Sequence, residues 1–224
     1  MSFVNVNHYV PIWYQRNFLL NDSAEAKYYY LDLHPETVVS TGGTRYQRNE
    51  LRRLGPPSCF AQEHLYTQFF GETASDAIEK HFFGTIDRDG QQAVNAFPEI
   101  GHDFQHLIHS FFGFLGSQIF RTPKGLNFLR RMTNNADQKQ LLSLLPGMTN
   151  TYLATWAEGI WDVVDCEDSA TKFIVSDHPV TLYNRRCFPG KLLYPLDAPI
   201  GSVGTQTIFP LDLNHCLVIT HLEL

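Results

Sequence analysis

The spacing of apolar side chains divides this chain into a helical middle flanked by strand-rich ends. Near the start, Pro11 suits the first turn of a helix. Trp13, Tyr14, Phe18 and Leu19 follow at helical spacing, with Gln15, Arg16 and Asn17 as the polar positions. A short amphipathic helix is predicted over residues 8–20. Lys27 to Leu33 is tyrosine-rich and stops at His34-Pro35, which reads as a strand. Thr37 to Ser40 is its candidate partner, with Gly42-Gly43 as a turn. Arg45, Arg48 and Arg52 share one face if residues 44–58 are helical. That face is either a solvated surface or an anion-contacting one.

From Thr73 to about Phe97 the pattern becomes helical. Thr73 and Asp76 have the spacing of a capping box, and Ala77, Ile78, Phe82, Ile86, Ala93 and Val94 form an apolar stripe weakened at Gly84 and Gly90. Further helices are predicted over 102–120, 124–132, 136–145 (stopped by Pro146-Gly147) and 149–159. The period then shortens to that of strands at 160–164, 171–175, 180–183, 205–209 and 216–220. Segregated helices and strands argue an α+β fold. The expectation is one domain over 1–224. Its small mixed or antiparallel sheet would come from both chain ends, about 26–40 and 160–220, and pack against a helical block at about 73–159. The chain stops directly after the apolar strand Cys216-Leu217-Val218-Ile219. This suggests a truncated C-terminus, and an exposed strand open to a homo-oligomeric or protein partner.

Composition narrows the classes. Hydrophobic residues make up 43% of the 224 and charged residues 18%, so the chain is not of the disordered type. The net charge of -6 gives no support to non-specific nucleic-acid binding, although a local basic groove is compatible with it. No run approaches the roughly 18 apolar residues that span a bilayer. Residues Met1 to Asn7 lack the basic start and apolar stretch of a secretory leader. Cys59, Cys166, Cys187 and Cys216 are far apart with no CxxC pair, and read as reduced, mostly buried thiols of a cytoplasmic protein. P-loop, dinucleotide, nucleophile-elbow and EF-hand patterns are absent.

Four segments share a pattern with a known family. His8-Tyr9-Val10-Pro11-Ile12-Trp13-Tyr14-Gln15-Arg16-Asn17-Phe18 resembles the opening signature of a bacterial family, domain of unknown function 4238. Leu65-Tyr66-Thr67 followed by Ile78-Glu79 is similar to its central helical entry. Phe173-Ile174-Val175-Ser176-Asp177-His178-Pro179-Val180 is similar to its Ser-Asp-x-Pro turn, and Phe209-Pro210-Leu211-Asp212-Leu213 to its Phe-Pro-Leu-Ser-Pro segment. Position 178 is His where that pattern more often has Asn, and Asp212-Leu213 stands for Ser-Pro. The resemblance implies bacterial origin, a coherent fold and a longer C-terminus, and it implies no mechanism.

Three groups of residues carry candidate chemistry. The first is His8 with Ser176, Asp177 and His178. Imidazole titrates near neutrality and serves as general acid or base, while a carboxylate orients it, activates water or binds a divalent ion. In a catalytic reading His8, Asp177 and His178 converge, and Glu79 adds a second carboxylate or pairs with Arg121. Arg121 or Arg48 then neutralises phosphate, with Tyr14 and Ser176 beside the substrate. In a structural reading Asp177 forms a turn and His8 holds a backbone carbonyl. The second group, His102, His106 and His109, shares one helical face and suits a metal, but lacks the acid of HExxH. It also reads as a plain solvated face, extended by Gly113 and Gly116 where a neighbouring helix or chain can approach. The third is Arg121-Thr122-Pro123-Lys124, where Arg121 either binds carbonyls at a helix end or grips a phosphate. The expected activity is phosphodiester hydrolysis of a nuclease-like kind, with a divalent metal compatible. The alternative is a non-catalytic protein-interaction module in which both signatures are structural.

Overall fold

The computed structural model describes residues 6–21, 23, 25–70, 73–98, 105–187 and 192–222. The fold is α+β, with every strand pair antiparallel. The main sheet has the order β10-β11-β12-β9 and comes from the C-terminal third alone. Its strands are β9 (Ile160–Asp165), β10 (Thr181–Tyr183), β11 (Gln206–Pro210) and β12 (His215–Thr220). Strands from the N-terminal part pair among themselves instead of joining it. β1 (Val6–His8) pairs with β6 (Ala61–Glu63), and β7 (Gln68–Phe70) with β8 (Thr73–Ser75).

The core is built round α3 (Ile108–Phe120), which packs against α2 (Gly84–Ala96), α4 (Pro123–Met132), α5 (Gln138–Met148) and α6 (Leu153–Ala157). Apolar residues occupy α3 nearly all round, so it is buried on every side from Phe114 to Phe120. Phe111, Phe112 and Phe114 meet the sheet side through Phe209, Trp161 and Tyr14. Gly116 permits the closest approach. A Cβ there would sit 1.8 Å from the carbonyl oxygen of Thr149, whereas a Cβ on Gly113 would meet nothing within 4 Å.

Residues 28–54 form one long two-stranded ribbon. β2 (Tyr28–Leu31) pairs with β5 (Leu51–Leu54), and β3 (Thr37–Val39) with β4 (Arg45–Gln47). Between the pairs Leu31–Leu51 and Thr37–Gln47, residues 32–36 face only 48–50, a bulge that holds His34-Pro35. Gly43, at φ +81°, closes the tip, where Ser40 and Thr44 bond through backbone and side chain. The arginine spacing at 45, 48 and 52 is therefore not a helical face. Tyr46, Val38 and their neighbours favour strands, and the turn at Gly42-Gly43 brings them into register.

Other expectations shift in detail. The predicted helix over 73–97 begins as β8 and enters α2 through a π-helical turn, Ile78–Phe83. Asp76 pairs with Lys80 one helical turn on, at 2.7 Å, instead of closing a capping box with Thr73. The real capping box is Asp137 with Gln140 on α5, which continues through Pro146 to Met148. Residues 171–175 run extended without a ladder, although Phe173 N–H donates to the Leu213 carbonyl. The strand expected to lie exposed, β12, is central, with Cys216, Leu217 and Ile219 buried. The edge is β9. No helix among the described residues is long and apolar enough to cross a membrane.

Candidate functional site

The opening signature forms a clamp. After β1 the chain turns into α1 (Ile12–Arg16), whose Val10, Tyr14 and Phe18 side is buried. Gln15 is fully buried. Its amide donates to the carbonyls of Val10 (2.7 Å) and Cys59 (3.4 Å), and its oxygen accepts from Tyr28 Oη at 2.7 Å. Tyr14 stacks on Phe209 and donates its hydroxyl to the Pro210 carbonyl. Asn17 donates to the Leu211 carbonyl, and its own carbonyl accepts from Leu213 N–H. The Phe-Pro-Leu segment is thus the receptor for the opening signature. Tyr14 is not beside a substrate, because a fully buried phenol tied to a backbone carbonyl has no free face.

His8 and Arg121 occupy structural positions. The His8 ring, half-buried at the end of β1, lies 3.2 Å from the Pro57 carbonyl. The His8 carbonyl accepts from Arg121 at 3.1 Å. Arg121 is 1% exposed and reaches Asp87 Oδ1 at 2.6 Å, with its guanidinium over the Phe83 ring at 4.3 Å. Burial opposes the charged guanidinium. Asp87, then Tyr66, outweighs it and raises its pKa above the ordinary range. Arg121 is therefore a buried strut between α2, α3 and β1, not a phosphate ligand on the surface. Its ion-pair partner is Asp87, not Glu79. Burial pushes the Glu79 carboxyl up to about 7, against the pull of Arg121 and with help from Asp87 and Asp76. Glu79 Oε2 is buried without a hydrogen-bond partner.

The Ser-Asp-His-Pro turn also joins two of the sequence groups, through His178 and Thr122. His178, 8% exposed, places Nδ1 2.7 Å from Thr122 Oγ1 and Nε2 3.5 Å from Asp197 Oδ2. Thr122 also caps α4 by accepting from Gly125 N–H. The Thr122 hydroxyl accepts from Gly125 N–H and keeps one further acceptor site and its own proton for His178 Nδ1, so the direction of that bond follows the imidazole tautomer. Lys124 Nζ reaches Asp197 at 2.5 Å. Burial alone would raise the Asp197 pKa, but hydrogen bonds from His178 and Lys124 outweigh it and hold it below the usual value. Ser176 Oγ accepts from His178 N–H at 3.2 Å, closing the turn, and Asp177 is exposed. Burial first, and then the Asp177 charge, raise the Tyr9 pKa, which places Asp177 toward the opening signature.

Among the described residues no hydrogen bond or ion pair joins any two of His8, Asp177, His178 and Glu79. Arg48 is exposed on the ribbon and pairs with Glu36 at 3.7 Å. His102 lies outside the described residues. His106 sits in the turn before α3 and His109 on its exposed first turn, so no continuous helical face carries the histidines. Among the described residues no group of three or more His, Cys, Asp or Glu is placed to hold a metal. Gly116, expected on that histidine face, meets Thr149 of this same chain. Two shallow depressions, of about 680 and 620 Å³, are lined by Asn21, Ser23, Glu25, Ala26, Lys27 and Arg53 and by side chains of α5 with Thr133 and Ala136, and no candidate residue lines either.

The sequence offered no sign of Asp87 or Asp197 as partners. Asp197 follows Pro195 in a loop of no periodicity, and Asp87 is one of several acids on a helix. Thr122 had a visible signal: Thr-Pro is a helix start with the cap preceding proline at N1. Comparison with family models, curated proteins and solved structures gave no match.

Proposed function

We propose that this protein is a non-catalytic protein-binding module in which the opening signature and the Ser-Asp-His-Pro turn lock the fold. The carrying observation is that the candidate side chains do not meet: His8 lies against Pro57, Arg121 pairs with Asp87, His178 meets Thr122, and among the described residues no hydrogen bond or ion pair joins any two of His8, Asp177, His178 and Glu79. A catalytic site needs its groups within hydrogen-bond reach of one reacting centre, in a cleft. Apolar side chains left to solvent include Tyr29, Leu31, Leu33, Val39, Tyr46 and Leu51 on the ribbon, Ile160, Val163 and Val164 on β9, and Ile174 just before the turn. The motif resemblance to domain of unknown function 4238 agrees with signatures kept for the fold.

A second reading keeps phosphodiester hydrolysis, favoured by the imidazole of His178 held between a hydroxyl and a carboxylate beside Lys124. One assay separates the two. Purified protein is incubated with bis-p-nitrophenyl phosphate and with RNA, with and without Mg²⁺ or Mn²⁺ and chelator. The binding reading expects no turnover above a matched His178→Gln preparation. Turnover that co-purifies with the protein and falls in a folded His178→Gln variant overturns it and establishes the second.

A further inference from the structure

We propose that the free edge of β9 receives an extended segment of another protein in which apolar and basic residues alternate, added as a fifth antiparallel strand. This rests on the binding-module reading. β9 is six residues long and, among the described residues, pairs along its whole length with β12 and with no strand on its other side. Alternate residues of an edge strand turn their N–H and C=O groups away from the neighbouring strand, and such groups template a further strand. Natural sheets blunt such an edge with proline, a bulge, lysines or a covering element. β9 has no proline or lysine, and its register with β12 is unbroken from Ile160–Thr220 to Asp165–His215.

The side chains along this edge set the partner's chemistry. Ile160, Val163 and Val164 are 57%, 37% and 42% exposed. Ile160, Asp162 and Val164 share one face of the strand and Val163 and Asp165 the other; both acids are exposed, and Glu158, Glu167 and Asp168 flank the strand with no basic residue from 157 to 171. Lys172, the next cation, spends its ammonium on the Cys166 and Glu167 carbonyls and Asn214. Main-chain bonds and the aliphatic positions supply affinity in strand addition, and cross-strand charge pairs supply selection. A second copy of β9 would match the apolar positions but supply no cation to Asp162 or Asp165.

The test uses the full chain and three synthetic peptides: alternating lysine–valine, alternating glutamate–valine, and a lysine–valine peptide of the same composition with its lysines in one block. Binding is read by calorimetry and by Trp161 fluorescence. The alternating lysine peptide is expected to bind, to weaken with salt, and to exceed the other two by about tenfold or more. The variant Asp162→Lys, with an unchanged melting temperature, is expected to reverse the preference toward the glutamate peptide, whose charges then share a face with residue 162. Equal binding of the alternating and blocked peptides, or a preference unmoved by charge reversal, overturns strand addition at β9. So does self-association of the wild-type chain that Val163→Asp abolishes, because the edge is then filled by a second copy. Absence of peptide binding overturns this proposal alone; the binding-module reading falls only to turnover in the phosphodiesterase assay.

Discussion

At the residue scale, two buried charges behave in opposite ways. Arg121 is compensated: Asp87 neutralises it, His8 contributes a carbonyl and Phe83 a ring face. Truncating one member of such a pair strands the other charge in the interior, so Arg121→Ala should destabilise by about 3–5 kcal/mol in chemical denaturation. Arg121→Met, which keeps the bulk, leaves Asp87 equally stranded and should recover little; recovery with Asp87→Leu added would show that the lost partner is the cause. Glu79 is not compensated. Its carboxyl is pushed from 4.5 up to about 7 by burial, so the folded state binds the proton more tightly than the unfolded one. A raised carboxyl pKa lends stability that is complete below the unfolded value and is lost as pH rises through the folded one. Glu79→Gln should therefore flatten the stability profile between about pH 4.5 and 7 and stabilise the protein by about 1–3 kcal/mol at pH 8. A variant whose profile keeps the wild-type slope in that window would remove Glu79 from this role. His221 titrates the other way. Burial lowers its pKa, so its contribution is present above about 6.5 and fades as the pH falls below it.

At the element scale, α3 sets the tolerance of the helical block. Gly116→Ala gains helix propensity of up to about 1 kcal/mol but drives a methyl into the Thr149 carbonyl, so a net loss of about 2–3 kcal/mol is expected. Gly113→Ala, one turn away with open space, should instead stabilise by a few tenths to about 1 kcal/mol. Thermal melts of the pair measure the packing term with propensity cancelled, and equal effects would mean that α3 does not approach Thr149 so closely. What the sequence showed at this scale was local. Helices with a continuous apolar stripe, such as Lys124 to Met132, and strands such as those expected at 160–164, 205–209 and 216–220, were legible because burial imposes a period. The ribbon's second strand was not, because its arginines mimic a helical charge face while its pairing is decided across a turn. The candidate site was legible only in residue type. Tyr14 meets Pro210 across 196 positions and His178 meets Thr122 across 56, and no local pattern encodes those pairings. Residues chosen for their catalytic chemistry were the same residues the fold uses for capping and buried hydrogen bonds, since both tasks call for polar groups placed with precision.

At the scale of the whole molecule, the body and the ribbon should differ in stability. The body has one continuous core that runs from α1 through α3 to β11 and β12. The ribbon beyond Leu31 has almost no buried residue, and a two-stranded ribbon without a third strand or a packed face is marginal in water. Its tip carries Arg45 and Arg48, both exposed, and Arg48 has only a 3.7 Å surface pair with Glu36, worth little. Trypsin at native pH should therefore cut first at Arg45 or Arg48. The two fragments should stay together, because β2 pairs with β5 across the nick, Gln15 bonds the Cys59 carbonyl and the opening clamp holds the turn at 210–213. Mass spectrometry of timed digests, followed by size exclusion of the nicked protein, reads both events. If cleavage begins instead at Arg130, Arg131 or Lys139 in the helical block, the ribbon is docked and the body is the weaker part. If the fragments separate on nicking, the clamp does not hold the fold. Leu33→Ser, Val39→Ser and Tyr46→Ser should leave the melting of the body unchanged within about 0.5 kcal/mol each, as expected for surface sites. A large loss at any of them would mean that the ribbon's apolar side chains cover part of the body, and would leave β9 as the principal free apolar edge on which a partner can build.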